Sequence, residues 1–140
     1  MAASPGSPNF ENVERFFMAF SSRNRLEEVV ALLSPDVSYT VPGASRMAGV
    51  FRGPVDVRDH LARLLELSSG TFEVLKWVDW MVGQTHVAAL QFAQAQGRGM
   101  IYRGHHLYLV QTDTDGLLSD IKVFFEEQEE AERFFSLLDY

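Results

Sequence analysis

Apolar residues recur along this chain first with a helical period and then, past residue 70, with a period of two. Over 10–22, Phe10, Val13, Phe16, Phe17 and Phe20 fall on one stripe, as an amphipathic helix requires. The segment NRLEEVVALLSPD continues the helical spacing with Leu26, Val29, Val30 and Leu33, and Pro35 is expected to stop that helix. In DVSYTVPG the period changes: Val37, Tyr39 and Val41 share a strand face, and Pro42-Gly43 ends it. FRGPVDVRDHLARLLELSSG carries the strongest helix signals, with Pro54 at the start, Asp56 and Asp59 in the first turns, and Gly70 past the end. Its stripe is Val57, Leu61, Leu64 and Leu65.

After Gly70 four alternating runs follow, at about 71–82, 86–96, 101–112 and 117–126, separated by VGQT, GRG and DTDG. Turns this short join antiparallel neighbours, so a meander of long strands is expected. EEQEEAERFFSLLDY closes the chain as a short helix with Ala131, Phe134, Phe135 and Leu138 on one side. Helices followed by an antiparallel meander make an α+β fold. A strongly twisted sheet can curl around those helices and leave a cone with an apolar mouth. The Ala-, Ser-, Pro- and Gly-rich residues 1–8 are expected to form a disordered tail, and 9–140 a single domain.

Composition changes this picture in three ways. Eleven Phe, four Tyr and two Trp supply flat walls for a dense core or an apolar cavity. The formal net charge of −7 argues against nucleic acid or an anionic membrane as partner. Cysteine is absent, which removes thiol catalysis, disulfides and thiolate metal sites. There is no secretory signal and no apolar run near the roughly 20 residues of a membrane span, so a soluble, cytoplasmic protein is expected.

The order of elements, with SPDVSYTVPG, AGVFRG before the third helix and the final DG hairpin, resembles the SnoaL-like branch of the nuclear-transport-factor-2-like superfamily over residues 10–135. That resemblance implies a cone-shaped α+β barrel with a deep apolar pocket, often a homodimer through its sheet. It also implies enzymes such as ketosteroid isomerases, polyketide cyclases, epoxide hydrolases and dehydratases, which need no cofactor. The isomerase base position falls on Val41, its oxyanion-hole tyrosine on Phe17, and its second aspartate near Tyr108. The polyketide-cyclase aspartate falls near Val123. This chain therefore departs from both aspartate-based mechanisms and keeps those positions as pocket lining.

Other residues remain for chemistry. In YRGHHLYLV, neighbouring strand residues point to opposite faces. If Tyr108 is inward, parity puts Tyr102 and His106 inward and His105 outward with Arg103, Leu107 and Gln111. Imidazole with an ordinary pKa of about 6.5 exchanges protons near neutrality, and a tyrosine hydroxyl can donate to a developing oxyanion. His106, Tyr39, Tyr108 and Asp79 are the candidate catalytic residues. Phe17, Val41, Tyr102, Trp77, Trp80 and Val123 are the candidate substrate contacts. Parity in KWVDWM sets Trp77 with Asp79 on one face and Val78 with Trp80 on the other. A carboxylate beside indole in a closed pocket would have its pKa raised and act as an acid. The four histidines show no metal-ligand spacing, so no metal is expected.

Two functions are open to such a chain. One is acid/base chemistry (cyclisation, isomerisation, dehydration or epoxide opening) on a hydrophobic polyketide- or terpenoid-like substrate. The other is a non-catalytic small-molecule-binding or dimerisation module on the same fold.

Overall fold

A computed structural model describes residues 8–20, 25–45, 47–68 and 70–138. Three helices and two strands lead: α1 (Pro8–Phe20), α2 (Leu26–Ala31), β1 (Leu33–Val41), β2 (Gly49–Arg52) and α3 (Pro54–Leu67). Four long strands and a last helix complete the chain: β3 (Glu73–Val82), β4 (His86–Gly97), β5 (Met100–Thr112), β6 (Leu118–Phe125) and α4 (Gln128–Leu138). The expected tail lies outside the described residues except Pro8, which is the first residue of α1. The expected helix over 10–22 is described to Phe20, and residues 21–22 lie outside.

The strands form one curved, unclosed sheet in the order β2-β1-β6-β5-β4-β3. Every neighbouring pair is antiparallel except β1 and β6, which run parallel. The expected meander is therefore β3 to β6, and the turns at GRG and DTDG use positive φ. Arg98 and Gly99, at φ 53° and 76°, make the two-residue turn between β4 and β5. The fold class is α+β, as the pattern of periods implies.

Two local elements differ from the pattern. Leu33 belongs to a strand, not a helix, because α2 stops at Ala31. Pro35 is tolerated in β1 because the pairing with β6 is interrupted between Leu33 and Ser38, so no ladder bond needs its nitrogen. Strand β2 was not foreseen. It is four residues long with little burial, and so has no alternation to detect.

The core sits between the concave sheet face and the helices. The whole α1 stripe is buried: Phe10, Val13, Phe16, Phe17 and Phe20. Each such side chain contributes about 1.5–3 kcal/mol by leaving water. Phe17 meets Tyr108, Trp77 and Trp80 edge-on at ring-centroid distances of 4.9, 5.5 and 5.9 Å. From α3, Val57, Leu61, Leu64 and Leu65 are buried as predicted, together with His60. Helix α4 adds Ala131, Phe134 and Phe135 to the core, both phenylalanines against Tyr102 of β5. It is fastened to the loop after β1 by Glu132, which accepts from the Ala44 N–H, and by Gln128, which donates to the Pro42 carbonyl.

In β3 the parity expectation fails. The ladder to β4 shifts register between Val74 and Lys76 and again between Trp77 and Asp79. Each extra residue reverses the facing of the residues beyond it. Trp77 and Trp80 consequently lie on the same inner face, stacked on one another at 4.9 Å, while Val78 and Asp79 are both exposed.

Candidate active site

Strand β5 presents Tyr102, Gly104, His106 and Tyr108 to the interior, because its ladder with β4 runs without a break from His86–Gln111 to Gly97–Met100. Gly104 is the reason two of these side chains can meet. A Cβ there would stand 2.6 Å from the Tyr102 hydroxyl, so only glycine leaves the ring room to lie along the strand. The hydroxyl then reaches His106 Nε2 at 2.8 Å. Phe134 stacks on the Tyr102 ring at 5.2 Å, and Phe125 meets the His106 ring edge-on at 4.8 Å.

Electrostatics here derive from burial. His106 is 1% exposed, and burial, with a smaller contribution from His105, lowers its pKa to about 4. It is a neutral imidazole at pH 7. Tyr102 is shifted upward, by burial first and then by Tyr108, Glu130 and Glu126, so its hydroxyl keeps its proton. One nitrogen of His106 is held by that hydroxyl, and the other, Nδ1, has no partner among the described residues. His105 points outward, with its Nδ1 2.8 Å from Glu126.

A second hydroxyl pair stands beside it. The side chains of Tyr39 on β1 and Tyr108 on β5 interact with one another at the cavity wall. Burial, ahead of other causes, raises both, Tyr108 to about 12. His60 of α3 approaches Tyr39 at 5.4 Å and stacks on Phe51 at 4.1 Å. Its pKa is lowered to about 4, by burial first and by the Arg63 charge second.

These groups converge on one cavity. Of the predicted residues, His106, Tyr39, Tyr108, Val41 and Val123 line it; His60, Met47 and Phe125 are among those not foreseen. Tyr102 contacts it through His106. Phe17, Trp77 and Trp80 form an aromatic cluster against Tyr108 and are not in the lining. Asp79 is not there either. It is exposed on the opposite face, where its carboxylate caps the Trp80 N–H at 2.8 Å, because the bulge turned it outward. The cavity volume is about 20 Å³, room for roughly one water. A larger guest must displace side chains such as Phe125, Phe135 or Met47.

Two interior polar residues were missed. His60 lies three residues after Val57 and four before Leu64, on the apolar stripe of its own helix. Gln91 is fully buried on β4, at the inward phase of HVAALQFAQAQ, and neither amide atom has a partner among the described residues. An unmet buried polar group costs about 1–3 kcal/mol. In each case a polar residue standing in the apolar phase was the available signal. Among the described residues no group of three or more His, Asp or Glu side chains is placed to hold a metal ion.

The match of residues 13–121 to the family model for the SnoaL-like domain decides the kinship of this chain. The chain belongs to the SnoaL-like domain family. An uncharacterized Mycobacterium tuberculosis protein is 29% identical to this SnoaL-like chain over 126 residues, covering 89% of it and 93% of the relative. Bal32a, from a soil-derived mobile gene cassette, superposes with a TM-score of 0.85 at 21% identity, covering 91% of this chain and 96% of its own. TerC, co-crystallized with polyporic acid, superposes with a TM-score of 0.76 at 19% identity, covering 96% and 100%. At these identities the structural likenesses speak for the SnoaL-like fold.

Chemically, this SnoaL-like cavity offers a neutral imidazole with one unpartnered nitrogen, two tyrosine hydroxyls, and apolar walls. The polar groups lining it are buried, which strengthens each hydrogen bond made there.

Proposed function

We propose that the protein is a cofactor-independent enzyme that moves protons on a hydrophobic, oxygen-bearing small molecule of polyketide or terpenoid type. The observation that carries this is His106: buried, neutral, held by Tyr102 at one nitrogen and open at the other beside an apolar cavity. With Nε2–H donated to Tyr102, the open Nδ1 is the base that takes a proton from a carbon next to a carbonyl, or from a hydroxyl. Tyr108, which lines the cavity with Tyr39, donates to the oxygen on which charge develops. Returning the proton at another atom gives isomerisation; a carbanion or alkoxide formed this way also opens routes to cyclisation, dehydration or epoxide opening. TerC supports an organic guest in this fold, since that protein was co-crystallized with polyporic acid.

A non-catalytic binding module is the second reading, favoured by the lack of any carboxylate in the cavity lining among the described residues. Deuterium exchange at the α-carbon of bound aromatic ketones separates the two. Catalysed exchange that falls at least a hundredfold in His106→Ala, with ketone affinity kept within threefold, is the expected result. No exchange in the wild type, with binding intact in both proteins, would leave the binding module. The same proposal takes the protein as a homodimer joined through the outer sheet face.

A further inference from the structure

His60 is a buried polar residue on the apolar stripe of α3, and the chemistry assigned to His106 leaves it without a task. It stacks on Phe51 of β2, and its ring centroid lies 5.4 Å from that of Tyr39. Neither of its nitrogens has a hydrogen bond among the described residues. Its position sets it apart. His60 lines the inner cavity with Tyr39, Tyr108 and His106, and it also lines a groove of about 250 Å³ between β2 and α3. Met47 is shared by both walls too, but its thioether has no proton to exchange. A groove on the outer sheet face meets the cavity lining at Phe125, which has no exchangeable side-chain proton either.

The groove between β2 and α3 opens on water. Asp56, Asp59 and Arg63 border it and are exposed, with the Asp59 carboxylate 3.3 Å from Arg58. On the inner side the ring centroids of His106 and Tyr108 are 6.5 Å apart, and the Tyr39 and Tyr108 side chains interact. The cavity these groups enclose has room for about one water, and one water suffices to carry a proton between neighbours. A neutral imidazole suits the crossing to the groove, because its acceptor nitrogen and its donor N–H are separate atoms. It takes a proton at one nitrogen while releasing another from the second, so no charge has to rest inside. Burial keeps His60 in that neutral form at pH 7.

We propose that His60 is a proton relay, passing protons between the cavity that holds His106, Tyr108 and Tyr39 and the solvent groove between β2 and α3. As a step of catalysis this rests on the reading of His106 as a base. A base that keeps the proton it has taken works once. Through the cavity water and His60 that proton leaves to the groove, where water or a carboxylate of Asp56 or Asp59 accepts it, and a solvent proton returns by the same way.

The test follows, by NMR at pH 7 in the unliganded protein, solvent exchange of the His106 ring N–H and the Tyr108 hydroxyl. In the wild type both should exchange at least tenfold faster than the β5 backbone amides beside them. His60→Phe keeps a ring on Phe51 and removes both nitrogens. It should slow the two side-chain protons at least tenfold, with the β5 amides and Tm little changed. His60→Gln serves if the phenylalanine variant does not fold, and the wild-type comparison needs no variant at all. Side-chain exchange that only keeps pace with the β5 amides in the wild type is exchange by opening of the fold, and overturns the relay. An unchanged rate in folded His60→Phe overturns it too. The readout needs no ligand, so it is separate from the enzyme reading. Slowed exchange in the variant, with no catalysed ketone exchange in the wild type, keeps the relay and removes the enzyme. Unchanged exchange in the variant, beside catalysed ketone exchange, does the reverse.

Discussion

Tyr102 and His106 meet because the residue between them on their strand face has no side chain. Gly104 is extended rather than left-handed, so the backbone does not ask for glycine; the Tyr102 hydroxyl does. Replacing a strand glycine by alanine where the backbone permits it ordinarily stabilises by about 0.4–1 kcal/mol through the unfolded chain. Here Gly104→Ala should destabilise instead, by lifting the hydroxyl from the imidazole. Tyr102→Phe removes the same hydroxyl directly and leaves two bare ring nitrogens, a cost of about 1–3 kcal/mol. Urea unfolding of the two variants, with nitrogen NMR of the His106 ring, checks both. If Gly104→Ala leaves the ring signals unchanged, the glycine is not what lets the two side chains meet.

Among the elements, β5 and β3 show when strand parity can be trusted. The β5 ladder has no interruption, so alternation read from Tyr108 places His106 inward and His105 outward, as found. Two register shifts in β3 put both tryptophans on the inner face and Asp79 outside, and nothing in KWVDWM marks either shift. Helix stripes fared better: every residue assigned to the stripe of α3 is buried. The failures there were of residue type, since His60 occupies a stripe position that hydrophobicity alone passes over. Gln91 escaped for the same reason. The register also aligns Leu90, Leu107 and Phe124 as an apolar row across the outside of β4, β5 and β6. Phe124 is 47% exposed there. With a second copy covering that row, sedimentation at tens of micromolar should show a dimer, and Phe124→Asp a monomer. A wild type that sediments as a monomer overturns the shared interface.

At the scale of the whole molecule, two buried neutral histidines tie stability to pH. His60 and His106 have folded pKa values of about 4 against the ordinary 6.5, so the unfolded chain binds protons that the native state does not. Their contribution is full above about pH 6.5 and is lost as pH falls towards 4, at up to about 1.4 kcal/mol per pH unit for each ring. Urea midpoints measured from pH 7 to pH 4 should fall accordingly, and His106→Gln should roughly halve the slope that the two rings contribute. An unchanged slope in that variant would mean that His106 is charged in the folded protein. The overall architecture was legible because it rests on periods and turns, which are written locally. The cavity was only partly legible, because Tyr39, His60 and His106 are brought together from three separate elements.

The parallel ladder between β1 and β6 sets an order of events during synthesis. The β1–β2 hairpin leaves the ribosome early, yet Tyr39 finds its register partner Ile121 only near the end of the chain. Loop closure over so many residues is slow relative to the local hairpins. Until it happens, Tyr39 is not beside Tyr108 and the cavity stays open on that side. Truncated or stalled chains would therefore hold much of the meander and only an unclosed site, so ligand binding is a test of finished synthesis as well as of folding.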